Sequence, residues 1–197
     1  IGELTGVIES AVTSAVEMEQ KFAEIQAITT ATDGEMNKLS KTIYEVGSNS
    51  KYSVEELADA TVTLGQAGLS ASQINDVLQT TSDLAVATGS SLQGSVDVMT
   101  STLAVWGLNA EEATHLSDVM VTGMNNTKAT LDSFRMGVQY AGATLASMNV
   151  NFEEFAAVTS AASNAGLRAS VVGTGLRGVV SELIAPSKKA SNILKEL

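Results

Sequence analysis

The stretch VWGLNAEEATHL, Val105 to Leu116, contains the pattern that decides the fold. Gly107 can adopt a left-handed backbone conformation that ends a helix, and Leu108 can cover the joint. Asn109 can then accept hydrogen bonds from the backbone N–H groups that open the next helix. Glu112 stands three residues later and can return a bond to the cap, as in a capping box. The stretch therefore predicts a tight corner between two helices.

Similar corners recur along the chain in QAGLSASQI, SMNVNFEEF and NAGLRASVV, with asparagine in place of the glycine in the second. Between them, apolar residues are spaced three and four apart, which is typical of helices with one buried face. The sequence therefore predicts an all-α fold, a compact array of about eight or nine short helices behind a longer N-terminal amphipathic helix. The residues that form the predicted corners are Gly68, Leu69, Ser70, Gly107, Leu108, Asn109, Asn149, Asn151 and Gly166.

Cap and stop signals place the predicted helices over 35–46, from 53 onward, and over 70–88, 91–106, 109–125, 130–147, 151–165 and 170–184. Pro186 is expected to close the last of them.

The first 25 residues carry apolar side chains at alternating steps of three and four, which is a heptad pattern. Two interpretations remain open: a coiled-coil seam between chains, or a broad amphipathic face, widened by Val7, Val12 and Val16, that packs on the domain core. We expect residues 1–30 to form this helix and residues 31–197 a compact core domain, both part of a longer polypeptide. The candidate seam comprises Ile1, Leu4, Ile8, Ala11, Ala15, Met18, Phe22 and Ile25.

Composition excludes several classes of function. A formal net charge of −11 argues against binding to a phosphate backbone, which requires clustered Lys and Arg, so no sequence-specific nucleic-acid binding is expected. The absence of cysteine excludes disulfides and thiolate metal sites. No window reaches the roughly 18 consecutive apolar residues of a membrane-spanning helix.

No motif indicates catalysis. GTGLRG, Gly173 to Gly178, matches a dinucleotide-binding pattern, but it lacks the preceding strand, and helix packing through its glycines explains it better. His115 is the single histidine, so a catalytic triad or a metal site would depend on it, and a surface position near a helix start explains it better. Trp106 is expected to pack over its corner. We therefore predict no enzyme, no cofactor and no metal.

Three longer stretches resemble the conserved core region of phage tail tape-measure proteins. They are KYSVEELADATVTLGQAGLSASQI, AVATGSSLQGSVDVMTSTLAVWGLNAEEATHLSDVM and SMNVNFEEFAAVTSAASNAGLRASVVGTGLRGVVSELIAPSKKA, and the resemblance covers roughly residues 22–197. It implies a structural virion protein that sets tail length inside the tail tube and leaves at genome ejection. The implied location is the virion tail, in the tube lumen or at the tip, with the host cytoplasm during assembly.

The resemblance also implies partners: the tail-tube protein, tail assembly chaperones and tail-tip hub proteins, with the chain itself a homo-oligomer, a trimer or a hexamer. Because a molecular ruler works best as uninterrupted helix, the predicted corners indicate a compact module beside the measuring part. Two alternatives stay open, a helical interaction or scaffold domain and a membrane-active segment used during DNA ejection.

Overall fold

The computed structural model describes the backbone of residues 2–184 and the side chains of residues 12–182. The described residues are mostly helical and form no strand, so the predicted all-α fold is confirmed. Pro186, the expected stop of the last helix, lies outside the described residues.

The observed helices follow the predicted ones closely. A 3-10 turn, Ala110–Glu112, precedes the sixth, and a π turn, Val138–Gly142, joins the seventh to the eighth, so the described residues contain nine helical runs. The bounds are α1 Gly2–Thr29, α2 Asp33–Asn49, α3 Val54–Gln66, α4 Ala71–Thr88, α5 Leu92–Trp106, α6 Ala113–Asn126, α7 Leu131–Gly137, α8 Ala143–Ser147, α9 Phe152–Asn164 and α10 Ala169–Ile184.

Left-handed residues stand at the corners: φ is +93° at Gly68, +63° at Gly107, +84° at Gly166 and +59° at Asn149. Each is followed by a residue whose N–H donates to a carbonyl five residues back; Leu108, for example, donates to Leu103 at 2.8 Å. This is the Schellman arrangement, which satisfies carbonyls that a helix end would otherwise leave unpaired. The repeated letters in the sequence correspond to a repeated way of ending a helix.

The helix starts differ in how they are capped. Ser70 and Asn151 form complete capping boxes with Gln73 and Glu154, respectively. Asn109 does not, so the predicted capping box with Glu112 is wrong. There the chain enters a 3-10 turn, and the N–H of Glu112 donates to the backbone carbonyl of Asn109 at 3.1 Å. The backbone carbonyl thereby replaces the side-chain oxygen as acceptor.

The chain divides into two compact units, Ile1–Val96 and Asp97–Leu197. In the first unit, α1 packs on α3, and α2 packs on both α3 and α4. Gly65 permits the close approach of α1, since a β-carbon built there would lie 3.1 Å from Ile28 Cγ2. The fully buried side chains of this unit include Ile25, Leu39, Ile43, Leu57, Leu64, Ile74 and Leu78.

Among the described side chains of α1, those that pack on this core lie in its C-terminal part. Ile25 is buried and Lys21 forms ion pairs with Asp59 and Glu55, whereas Val12 and Val16 are 58% and 47% exposed. The interpretation that these valines widen a core-facing stripe is therefore wrong. Of the candidate seam, Ala15 is exposed and Met18 and Phe22 are half-buried, while the side chains of Ile1, Leu4, Ile8 and Ala11 lie outside the described residues. Ile25 is fully buried in the core of its own unit, so its assignment to a seam between chains is wrong.

In the second unit, α10 packs against α7, the π turn and α9, and α6 packs against α9. Its core is built around the fully buried rings of Phe134, Phe152 and Phe155. Within the described residues, no helix is both long enough and apolar enough to cross a membrane.

Candidate functional site: a groove between two helices of the second unit

A groove of about 430 Å³ runs between α6 and α9. Its residues recur at steps of three and four on each helix, so each wall is one helical face. On α6 and just after it, the lining residues are His115, Asp118, Val119, Thr122, Gly123, Asn126 and Thr127; on α9 they are Glu153, Ala156, Ala157 and Ser160.

An ion pair bridges the two walls at the surface. Nε2 of His115 on α6 lies 2.5 Å from Oε1 of Glu153 on α9, and both side chains are about half exposed. The hydrogen bond to Glu153 raises the pKa of His115, with smaller contributions from the charges of Glu153, Glu112 and Asp118. The same hydrogen bond lowers the pKa of Glu153. The predicted surface position of His115 is correct, and its partner comes from 38 residues away.

Small residues form the floor of the groove. A β-carbon built on Gly123 would lie 2.6 Å from Oγ of Ser160 and 3.0 Å from the ring of Phe134, so a larger residue there would require these side chains to shift. Ser160 is 6% exposed, and its hydroxyl has no hydrogen-bond partner among the described residues. A buried hydroxyl without a partner is uncommon in a packed protein. The floor therefore carries a buried hydroxyl, beneath walls that also include polar side chains such as Thr122 and Asn126.

An aromatic cluster fixes the start of α9. The ring of Trp106 lies 5.4 Å from that of Phe152 and 5.2 Å from that of Phe155, centroid to centroid. Its indole N–H donates to the carbonyl of Val150 at 2.9 Å. Trp106 is half-buried, and it packs at its corner as the sequence predicts.

The glycines of GTGLRG lie inside α10 and differ in their surroundings. A β-carbon on Gly173 would lie 2.9 Å from Cβ of Tyr140 and 3.0 Å from the carbonyl oxygen of Met136, which is close helix packing. Gly175 and Gly178 have no such neighbours and face open space, so the prediction that all three glycines pack closely is wrong for these two.

Among the described residues, no group of three or more His, Asp or Glu side chains could hold a metal ion. Sequence reasoning named His115 but missed the groove as a surface. The signal was present in the spacing of residues 115–127, which sets polar and small residues on one face of α6.

A family model described as phage-related minor tail protein matches residues 40–197. The chain belongs to the phage-related minor tail protein family. The matched region contains all four glycine and asparagine corners, the aromatic cluster and the groove, and it leaves out α1. A search of curated proteins found no match, and a search of solved structures found none either.

Membership makes this chain a structural component of a phage tail. The groove, the corners and the aromatic cluster are thus features of a structural tail protein.

Proposed function

We propose that this minor tail protein is the compact module of a tape-measure protein, which sets tail length inside the tube and is released at genome ejection. The observation that carries the proposal is the contrast between α1 and the rest of the chain. The helix α1 is 28 residues long and exposes apolar residues at its middle, whereas no later helix exceeds 18 residues within the described part of the chain.

The corners support the idea that the measuring part lies elsewhere in the polypeptide. A wholly helical chain of this length would span roughly 300 Å at about 1.5 Å per residue. Left-handed residues with paired carbonyls end the helices instead, and each unit buries its own core. A chain built this way is suited to fold as a module beside a ruler.

We further propose that α1 is the seam through which copies of the chain associate, as a trimer or hexamer. Ala15 of the candidate seam is exposed, and so are Val12 and Val16 beside it, on a helix whose C-terminal end is held to its core by Ile25 and Lys21. Exposed apolar residues on one side of a long helix favour helix–helix association. The tail-tube protein, assembly chaperones and tip hub proteins are the proposed partners of the assembled module.

Deleting residues 5–18 tests the proposal, because it removes two heptads and leaves the packed part of α1 in place. If α1 continues the ruler, the tails that assemble should shorten by about 21 Å, the length of 14 helical residues. Electron microscopy of purified tails measures tail length and particle yield. Unchanged tail length at normal yield would contradict the tape-measure role of α1.

A further inference from the structure

One face of α10 points away from the helices on which this helix packs. Val172 and Gly173 are buried on the packed side, whereas Val171 and Val179 are 49% and 61% exposed on the other. A β-carbon built on Gly175, midway between the two exposed valines, would have no neighbour within 4 Å. Within the described residues, the outward face of α10 is thus left largely uncovered.

The residues of this face are arranged symmetrically about Gly175. Val171 and Val179 lie four positions before and after it, and Arg168 and Glu182 lie seven positions before and after it. Steps of four and seven return to nearly the same side of an α-helix, so the five residues share one face. Arg168 immediately precedes the helix, and its carbonyl already accepts a helical hydrogen bond from four residues on, at 3.0 Å. The arginine and the glutamate are both exposed.

A face of this kind is complementary to a second copy of itself that lies antiparallel. In a two-fold pair centred on Gly175, residues equally far before and after the glycine face each other. Val171 of each copy then lies opposite Val179 of the other, and Arg168 lies opposite Glu182. Apolar residues therefore meet near the middle and opposite charges meet at both ends, whereas a parallel pair would set each charge against its own sign.

Glycine at the centre has a physical use in such a pair. Inside a helix, glycine is less favourable than alanine because it loses more conformational freedom on folding. At Gly173 the small residue permits close packing on Tyr140, but Gly175 makes no such contact within the described residues. Where two helices cross, a residue without a β-carbon lets their backbones approach closely. Pairing of two chains gives Gly175 the close packing that one chain does not provide.

We propose that two copies of this chain pair antiparallel through the face of α10 formed by Arg168, Val171, Gly175, Val179 and Glu182. The five residues extend over about 21 Å of helix. A contact of two single helices is small beside the roughly 1,600 Å² of a standard interface, so the pair is weak and a covalent link captures it best. This contact is separate from the seam proposed for α1 and does not depend on a role in setting tail length.

Cysteine cross-linking of the full 197-residue chain tests the pairing, since the chain contains no cysteine of its own. Gly175→Cys places a thiol at the two-fold axis, where it faces the same residue of the second copy. The matched control is Val171→Cys on the same face, because two copies of that residue lie about 12 Å apart in the antiparallel pair. A disulfide cannot join α-carbons more than about 7 Å apart, so we expect at least about fivefold more linked dimer for Gly175→Cys on a non-reducing gel.

A mixture of two variants tests the direction of the pair. Val171→Cys and Val179→Cys chains, carrying tags of different size, are oxidised together and separately. Because the two residues face each other across the antiparallel pair, the mixed dimer should exceed either self-linked dimer about fivefold or more. Self-linked Val171→Cys as abundant as self-linked Gly175→Cys would indicate a parallel or unspecific contact and would overturn the proposal.

Charge reversal tests the two ends of the pair. Arg168→Glu in the Gly175→Cys chain should lower the yield of linked dimer about threefold or more, because two carboxylates then meet at each end. Adding Glu182→Arg should restore the yield, since opposite charges face each other again. Circular dichroism checks that every variant remains helical. A yield that does not respond to Arg168→Glu, or that Glu182→Arg fails to restore, would count against pairing through this face.

Discussion

The indole N–H of Trp106 donates a hydrogen bond to the carbonyl oxygen of Val150 at 2.9 Å. Trp106 stands at the end of α5, one residue before the Gly107 corner, and Val150 follows the left-handed Asn149 at the next. The two corners are thus joined by one side chain that also contacts Phe152 and Phe155. Because Phe152 opens α9, this contact fixes where one wall of the groove begins.

Replacing Trp106 by phenylalanine should destabilise the chain by about 1–3 kcal/mol, because it removes the donor to Val150 and part of the aromatic contact. Chemical denaturation monitored by circular dichroism measures the loss. Val158→Ala, on an exposed face of α9, serves as the control and should fall within about 0.5 kcal/mol of the parent. Equal stability of Trp106→Phe and the parent would show that the indole bond contributes nothing.

The glycines of α10 predict opposite effects for the same substitution. Gly173→Ala should cost about 1–3 kcal/mol, since its β-carbon would meet Cβ of Tyr140 and the backbone oxygen of Met136. Gly175→Ala and Gly178→Ala should instead stabilise by about 0.5–1 kcal/mol, because both sites face open space within a helix. Thermal melts of the three variants give the comparison. Similar costs at all three sites would contradict the packing of α10.

The geometry of the corners predicts which capping residues stabilise the folded chain. Gly107→Val should cost more than about 1 kcal/mol, because a β-branched residue resists a φ of +63°. Asn151→Ala should cost about 1 kcal/mol through the loss of its bond from the N–H of Glu154. Asn109→Ala should cost clearly less, since the side chain of Asn109 makes no cap bond. The denaturant midpoints of the three variants measure these losses. Equal losses for Asn109→Ala and Asn151→Ala would contradict the 3-10 turn that follows Asn109.

The His115–Glu153 pair predicts a dependence of stability on pH. Because the pKa of His115 is raised in the folded chain, protonated His115 stabilises the fold. This stabilisation is complete below the ordinary pKa of 6.5 and is lost as pH rises through the raised pKa. Because the pKa of Glu153 is lowered, ionised Glu153 also stabilises the fold. This stabilisation is complete above the ordinary pKa of 4.5 and is lost as pH falls through the lowered pKa. The pair should therefore stabilise most between pH 4.5 and 6.5.

The melting temperature of His115→Gln, compared with the parent across pH 3–9, measures this contribution. We expect the largest difference near pH 5.5 and a smaller one toward either end. High salt should reduce the difference at pH 5.5, because the pair is exposed and therefore screened. A difference that stays constant from pH 3 to pH 9 would rule out the ion pair in solution.

The helices could be predicted from the sequence because their signals are local. Ser70 and Gln73 lie within one turn of each other, so their capping box needs nothing from the rest of the chain. The π turn Val138–Gly142 gave no such signal. A β-carbon on Gly142 would lie 3.1 Å from Val105 and 3.4 Å from Trp106, so the turn adjoins a contact with a helix more than 30 residues earlier.

The groove between α6 and α9 could not be predicted from the sequence for a similar reason. The spacing of residues along α6 shows which of them share one helical face. The contact of that face with α9 involves His115 and Glu153, which are 38 residues apart in the sequence. The close approach of Gly123 to the hydroxyl of Ser160 likewise joins residues that are distant along the chain. Sequence patterns predicted the helices, and contacts distant along the chain determined the surface between them.

An internal deletion separates a compact module from an extended ruler. Removing residues 109–125 takes away most of α6, which packs on α9 and α7. We expect misfolding or failed tail assembly, because the buried faces of the neighbouring helices lose their cover. Tail length and particle yield, both scored by electron microscopy, are the measurements. The deletion of residues 5–18 is the matched comparison, since it spares the packed part of α1.

The opposite outcome is equally specific. If the chain were stretched along the tube, the same deletion would leave particle yield normal and shorten tails by about 25 Å, the helical length of 17 residues. Such a result would mean that the left-handed corners at Gly107 and Asn149 do not persist in the assembled tail. The module would then be a folded form of the free chain alone, and residues 97–184 would measure length together with α1.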